Sequence, residues 1–201
     1  MAIADPNPVR TSPLVARAKA ILVSPGPEWI RIDDEPTTLQ RLYLGYACVL
    51  AAIPAIAMFI GEFALGSSTW GDGLRPSIAS LLAAAIAEYA LSLGAVAVLA
   101  LLIDSLAASF GGQKNQVQAF KLAIYSATAA WVTGIFHLLP ILGGLAILGG
   151  VYSLFLLYLG LPRLMKVPRD RALAYAVVVL LIAVVLFAIV GAVTGGMVRW
   201  V

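Results

Sequence analysis

Charge is scarce in this chain: Asp, Glu, Lys and Arg make up 11% of its 201 residues, and the 41 residues from Leu122 to Pro162 contain none. A water-soluble domain of this length cannot hide a composition that is 62% hydrophobic with a mean hydropathy of +0.98, because much of any folded surface faces solvent. The single cysteine, Cys48, excludes an intrachain disulfide. The single histidine, His137, has no neighbouring Cys, Asp or second His with which to form a metal site. No nucleophile and base share a helix at reactive spacing, so neither a catalytic site nor a cofactor is expected. The first 30 residues lack a continuous apolar run and a small-residue cleavage site, so no secretory signal is expected. These absences leave a chain whose principal solvent is lipid.

As one helix, Leu122–Pro162 would reach roughly 60 Å, about twice the ~30 Å hydrocarbon core of a bilayer. Pro140, Gly143 and Gly144 lie in its middle, where a tight turn is needed, so the stretch reads as two membrane-spanning helices back to back. Along the whole chain, five apolar segments emerge at about 41–64, 77–103, 120–139, 142–162 and 172–196. Each meets or approaches the ~20 residues required to cross. Lys and Arg set the orientation. Eleven fall in the N-terminal segment and in the 104–121 and 163–171 connections, whereas only Arg75 and Arg199 fall on the other side. With five spans, the N-terminus is expected in the cytoplasm and the C-terminus outside. The pI near 9.2 is thereby explained by membrane orientation, and nucleic acid is not an expected partner. No internal repeat is evident, which argues against an inverted-repeat transporter.

Three regions follow. Residues 1–12 read as a disordered tail, 13–38 as a cytoplasmic and interfacial amphipathic segment, and 39–201 as a five-helix transmembrane domain. Leu14, Val15, Ala18, Ile21 and Leu22 share one helical arc with Arg17 and Lys19 at its margins. That pattern suits a helix lying flat at the interface with its cations snorkelling to headgroups. Pro25, Gly26 and Pro27 break it, and Trp29, Ile30 and Ile32 resume an apolar face beside Asp33, Asp34 and Glu35. The dense alternation of charge sign also suits a partner-docking surface.

Glu88 is the most unusual residue. Counted from Ile78, ten residues of rise place it ~15 Å deep, near the bilayer midplane. A charged side chain there costs on the order of 2.5–3.5 kcal/mol, so it should face protein or trapped water. Ser80, Ala84, Glu88 and Ser92 recur at a spacing of four residues and form a stripe suited to the bundle interior. Glu88, Ser92, Tyr125 and Ser126 are the candidate intramembrane polar site, with Thr128, Tyr152 and Ser153 as further partners for the carboxyl group. Two roles stay open: interhelical glue with a neutral carboxyl, or a proton, ion or substrate pathway. Pro54 is expected to kink the first span. Small residues recur at interhelical spacing on the third and fourth spans, and Gly191 with Gly195 on the fifth equally suits self-association.

Between the second and third spans, Phe110-Gly111-Gly112 should break one helix and Asn115 should cap the next. Asp104 ends the second span where the helix dipole is already negative, a placement that needs compensation from Lys114, Lys121 or a neighbouring loop. Gly111, Gly112 and Lys114 are too weak a pattern for a phosphate loop.

Several ordered motifs are more than compositional. They are R-x-K-x-I-L-x-S-P-x-x-E-W (Arg17 to Trp29), F-G-G-x-K-N (Phe110 to Asn115) and Y-S-x(4)-W (Tyr125 to Trp131), then P-x-L-G-G (Pro140 to Gly144) and the run from Tyr152 to Pro162. On these the chain resembles the Yip1-domain membrane proteins in their bacterial form, over about residues 13–195. The resemblance implies a five-helix bundle with a cytoplasmic N-terminus, residence in a bacterial inner membrane, and no catalytic residues. Eukaryotic relatives are associated with Rab GTPases and vesicle trafficking. The expected function is therefore a non-enzymatic membrane protein that organises membrane or binds membrane or cytoplasmic protein partners. Its candidate partner face comprises Trp29, Asp104, Phe110, Gly111, Gly112, Lys114 and Asn115. The alternative is a small transporter or channel for an ion, proton or lipid that uses Glu88.

Overall fold

A computed structural model describes residues 14–69 and 77–199, so the tail at 1–12 lies outside the described residues. Every regular element among them is helical. Two short helices, α1 (Leu14–Val23) and α2 (Pro25–Asp34), precede five helical spans. The spans run Leu39–Leu65, Ile78–Phe110, Gln116–Leu138, Ile141–Leu164 and Arg169–Met197, each long and apolar enough to cross a membrane. This is the expected five-helix polytopic bundle, with the second span carried further than sequence reading placed it. That helix continues to Ala107 and then tightens into a 3₁₀ turn at Ala108–Phe110. Gly111 ends it at a φ of 75°, a left-handed conformation that glycine adopts without a Cβ clash.

The span ends carry the caps their sequences supply. Thr38 Oγ1 accepts from the Arg41 N–H at 3.3 Å, Ser77 Oγ from the Ser80 N–H at 3.1 Å, and Asn115 Oδ1 from the Gln118 N–H at 3.2 Å. The first span contains a π-helical turn at Tyr43–Ala47, with Pro54 further along the helix. The third span is interrupted at Ala127 and finishes in a 3₁₀ segment, Gly134–Leu138.

Hydrophobicity does not mark the most buried span. The third span is the least hydrophobic of the five, yet 72% of its apolar window is buried, and every residue from Ala119 to Ala129 lies inside the protein. The fifth span is the most hydrophobic, and only 22% of its window is buried. In a bilayer the outer surface is wetted by hydrocarbon, so the helix with polar groups to satisfy takes the centre and the most hydrophobic helix can face out. Large side chains such as Ile86, Leu181 and Val185 are accordingly exposed.

The segment ahead of the first span folds as a helical hairpin. Ser24 joins α1 to α2, and Pro25 opens α2 at a position where its missing N–H costs no helical bond. Contacts of the hairpin step along the bundle from the end where the third span begins, hereafter the basic end. Asp33 meets Gln118 and Lys166, Trp29 meets Leu122 and Gly160, and the Leu22 carbonyl meets Tyr152. Gly160 to Tyr152 is roughly 12 Å of helical rise. The hairpin therefore descends the flank of the bundle. Gly160 provides the slot for Trp29: a Cβ there would lie 2.8 Å from the indole ring and 2.7 Å from Leu122 Cδ1.

Candidate functional site

The densest polar cluster among the described residues is built where the hairpin meets the first and third spans. Arg17 was expected to snorkel outward; instead it turns inward and is 4% exposed. Its Nη1 pairs with Glu28 Oε1 and its Nη2 with Glu35 Oε2, so one guanidinium on α1 ties down the start and the end of the second helix. The hairpin supplies the reason: two carboxylates 11 and 18 residues away return to the same place, and a forked guanidinium can satisfy both. Arg17 also lies over the Tyr125 ring, 5.7 Å from its centroid. Tyr125 packs edge-on against Tyr46 at 4.8 Å, and the Tyr46 and Thr128 hydroxyls share a hydrogen bond of 2.8 Å.

Side chains from the spans close the C-terminal ends of both hairpin helices. The Tyr152 hydroxyl donates to the Leu22 carbonyl at 2.8 Å. Lys121 Nζ donates to the Ile32 carbonyl at 2.7 Å and to the Glu35 carbonyl at 2.6 Å. An ammonium at a helix C-terminus satisfies orphan carbonyls and complements the negative end of the helix dipole. Asp33 then joins three segments, accepting from Gln118 Nε2 at 3.0 Å and pairing with Lys166. The 111–115 loop is fastened to the next turn by the Gln113 N–H, which donates to the Met165 carbonyl at 2.8 Å. The basic end is thus one hydrogen-bonded surface.

The residues singled out from sequence are distributed differently. Trp29 is 1% exposed, so it anchors the hairpin from within and offers no surface. Phe110 stacks on Tyr175 at 4.8 Å and 17°, Gly111 lies beside Pro168 and Arg171, and the Gly112 N–H donates to the Ala107 carbonyl at 2.9 Å. Asp104 is half-buried, and its Oδ1 has no hydrogen-bond partner; Lys121 turns to α2 instead. Lys114 and Asn115 remain exposed.

Glu88, Ser92, Tyr125 and Ser126 do not converge. Glu88 contacts the Thr194 hydroxyl, a partner that sequence reading did not name. Ser92 Oγ accepts from Trp131 Nε1 at 2.9 Å, Tyr125 belongs to the Arg17 cluster, and Ser126 Oγ is buried without a partner. Ser153 Oγ accepts from the Ala130 N–H at 2.9 Å, close to the break in the third span. The Thr194 partner ties the Glu88 carboxyl on the second span to the fifth span.

Two cavities border these groups. One, of about 770 Å³, lies between the hairpin, the connection to the first span and that span's π turn; its walls include Arg17, Glu35, Thr38, Arg41, Leu44 and Tyr125. The other, of about 430 Å³, lies among the third, fourth and fifth spans and is apolar apart from Ser126 and Ser153. No group of His, Cys, Asp and Glu among the described residues has the arrangement of a metal site.

The comparisons agree with this architecture. A family profile described as "Yip1 domain" matches residues 19–190. The chain is 30% identical over 168 residues to the protein named Inner membrane protein YohC from Escherichia coli strain K12, covering 81% of this chain and 86% of that protein. The protein of the same name from Escherichia coli O6:H1 strain CFT073 matches to the same extent. No solved structure matches the chain. The matched span reaches from the middle of the first hairpin helix into the last transmembrane helix, and this chain is a member of the Yip1-domain family of membrane proteins.

Proposed function

We propose that this chain is a non-enzymatic protein of a bacterial inner membrane that binds protein partners, and so organises the membrane locally, through its basic end. The observation that carries the reading is the fusion of the hairpin with the two loops at that end, through Lys121, Gln118, Lys166 and Asp33, into one rigid surface. A preorganised surface loses little ordering entropy on binding, which favours recognition. Lys114, Arg163 and Arg169 are exposed on it, and the excess of cations at this end supports a cytoplasmic placement. The inner-membrane assignment is supported by the names of the relatives from Escherichia coli. Gly191 and Gly195 are exposed on the fifth span, which supports self-association as a further property.

The test is photocrosslinking in native membranes from Lys114 and Arg163, with Leu145 at the opposite end as the control position. Discrete partners captured from the first two positions and not from Leu145 are the expected result. Equal, unselective capture from all three would sink the reading. The alternative, a pathway through Glu88, rests on the intramembrane position of that carboxyl. Proteoliposome flux in wild type and Glu88→Gln separates the two, since a pathway requires the variant to change it.

A further inference from the structure

The cavity beneath the hairpin has the features of a lipid site. We infer that it holds the headgroup of an anionic glycerophospholipid, with the phosphate on Arg41 and the first part of an acyl chain against Leu14 and Leu44.

The cavity volume, about 770 Å³, is ample for a phosphoglycerol headgroup and its glycerol backbone. Its depth is appropriate. Arg41 is the third residue of the first span, which places the guanidinium at headgroup level, while Leu44 is 62% exposed one turn further into the membrane. Its charge is asymmetric. Arg17 is neutralised by Glu28 and Glu35, and Lys166 by Asp33, whereas Arg41 makes no ion pair among the described residues. An anion near Arg41 would therefore meet an unsatisfied cation. Its donors are placed around that cation. Thr38 Oγ1 already accepts from the Arg41 N–H, so its own hydrogen is free to donate, and Thr37, Gln40 and Tyr125 also line the cavity. The wall is built rather than incidental, because Arg17 and Tyr125, which line it, are 4% and 9% exposed. The π turn at Tyr43–Ala47 forms one side, with Gly45 contributing no side chain; such turns recur at binding sites. A lining that combines polar groups with leucines selects an amphiphile over a free ion. This inference does not depend on the partner-binding reading.

The full-length chain, stripped of lipid in detergent, is mixed with dioleoylphosphatidylglycerol or dioleoylphosphatidylcholine, and bound lipid is counted by native mass spectrometry. Wild type is expected to retain phosphatidylglycerol about tenfold better than phosphatidylcholine, the scale of one charge-assisted contact. Arg41→Gln should abolish that preference, whereas Arg163→Gln, an exposed arginine outside the cavity, should keep it. A monodisperse elution profile identical to wild type establishes that each variant is folded. Equal retention of the two lipids by wild type, or an undiminished preference in Arg41→Gln, overturns the inference. Displacement of phosphatidylglycerol by inorganic phosphate alone would reassign the cavity to a free anion and overturn it equally.

Discussion

Lys121 Nζ donates to the carbonyl oxygen of Ile32 at 2.7 Å, so an amine on the third span ends a helix that belongs to the N-terminal hairpin. The same amine reaches the Glu35 carbonyl, and its residue is 3% exposed. A charge so placed is tolerated because backbone carbonyls replace the water it lost.

Lys121→Met keeps the stem of the side chain and removes its donors. Two carbonyls then lose their partner, at a cost of about 1–3 kcal/mol for a buried group left unsatisfied. The expected outcome is a lower melting temperature in micelles, together with faster protease cleavage around Glu35. An unchanged cleavage rate would mean that the hairpin docks without this amine.

Arg17 gives a sharper prediction because its removal strands carboxylates. Arg17→Met should cost about 3–5 kcal/mol, the usual penalty for breaking a buried pair from one side. Replacing all three groups together, as Arg17→Met with Glu28→Leu and Glu35→Leu, should recover most of that loss. Denaturation in sodium dodecyl sulfate measures both. Additive losses in the triple variant would contradict a mutually compensated cluster.

How much of this was legible beforehand depended on the kind of force involved. The spans follow from composition, since an uncharged run like Leu122–Pro162 has few other solutions. The loop caps were legible too, because Asn115 and Gly111 act on their own neighbours. The fate of Arg17 was not, since its partners Glu28 and Glu35 come near only after α1 and α2 fold back on each other. A motif linking Arg17, Glu28 and Trp29 in one line was the available signal, and it marked a packing unit rather than a surface. Lys121 was counted as a loop cation because its carbonyl partners belong to another segment. The central place of the third span was hidden for a different reason. In lipid the most hydrophobic helix gains nothing from burial, so hydropathy does not identify the helix at the core.

The Trp29 anchor predicts a steric test. Gly160→Leu would place side-chain atoms where the indole ring lies, with the Gly160 Cβ position only 2.8 Å from it. The ring should leave its slot, and the loss should approach that of Trp29→Ala, about 3–5 kcal/mol for a large buried aromatic. In a background where Trp70, Trp131 and Trp200 are phenylalanine, the Trp29 emission should shift to the red. Emission that stays blue would show that the fourth span yields instead of the hairpin.

Glu88 and Thr194 supply the last prediction. Thr194 Oγ1 donates to the Val190 carbonyl at 3.0 Å, so its lone pairs are open to a donor from the second span. A protonated carboxyl or an amide can supply that donor; a leucine cannot. Glu88→Gln should therefore leave stability within about 0.5 kcal/mol, while Glu88→Leu and Thr194→Val should each cost roughly 0.6 kcal/mol, the average for an interhelical hydrogen bond in lipid. A double-mutant cycle between Glu88→Leu and Thr194→Val isolates the pairwise part. Coupling near the single-mutant values assigns the pair to bundle stability. Zero coupling, or a large loss in Glu88→Gln, would mean that the carboxylate has a task the amide cannot perform, and would return weight to a conducting role for this residue.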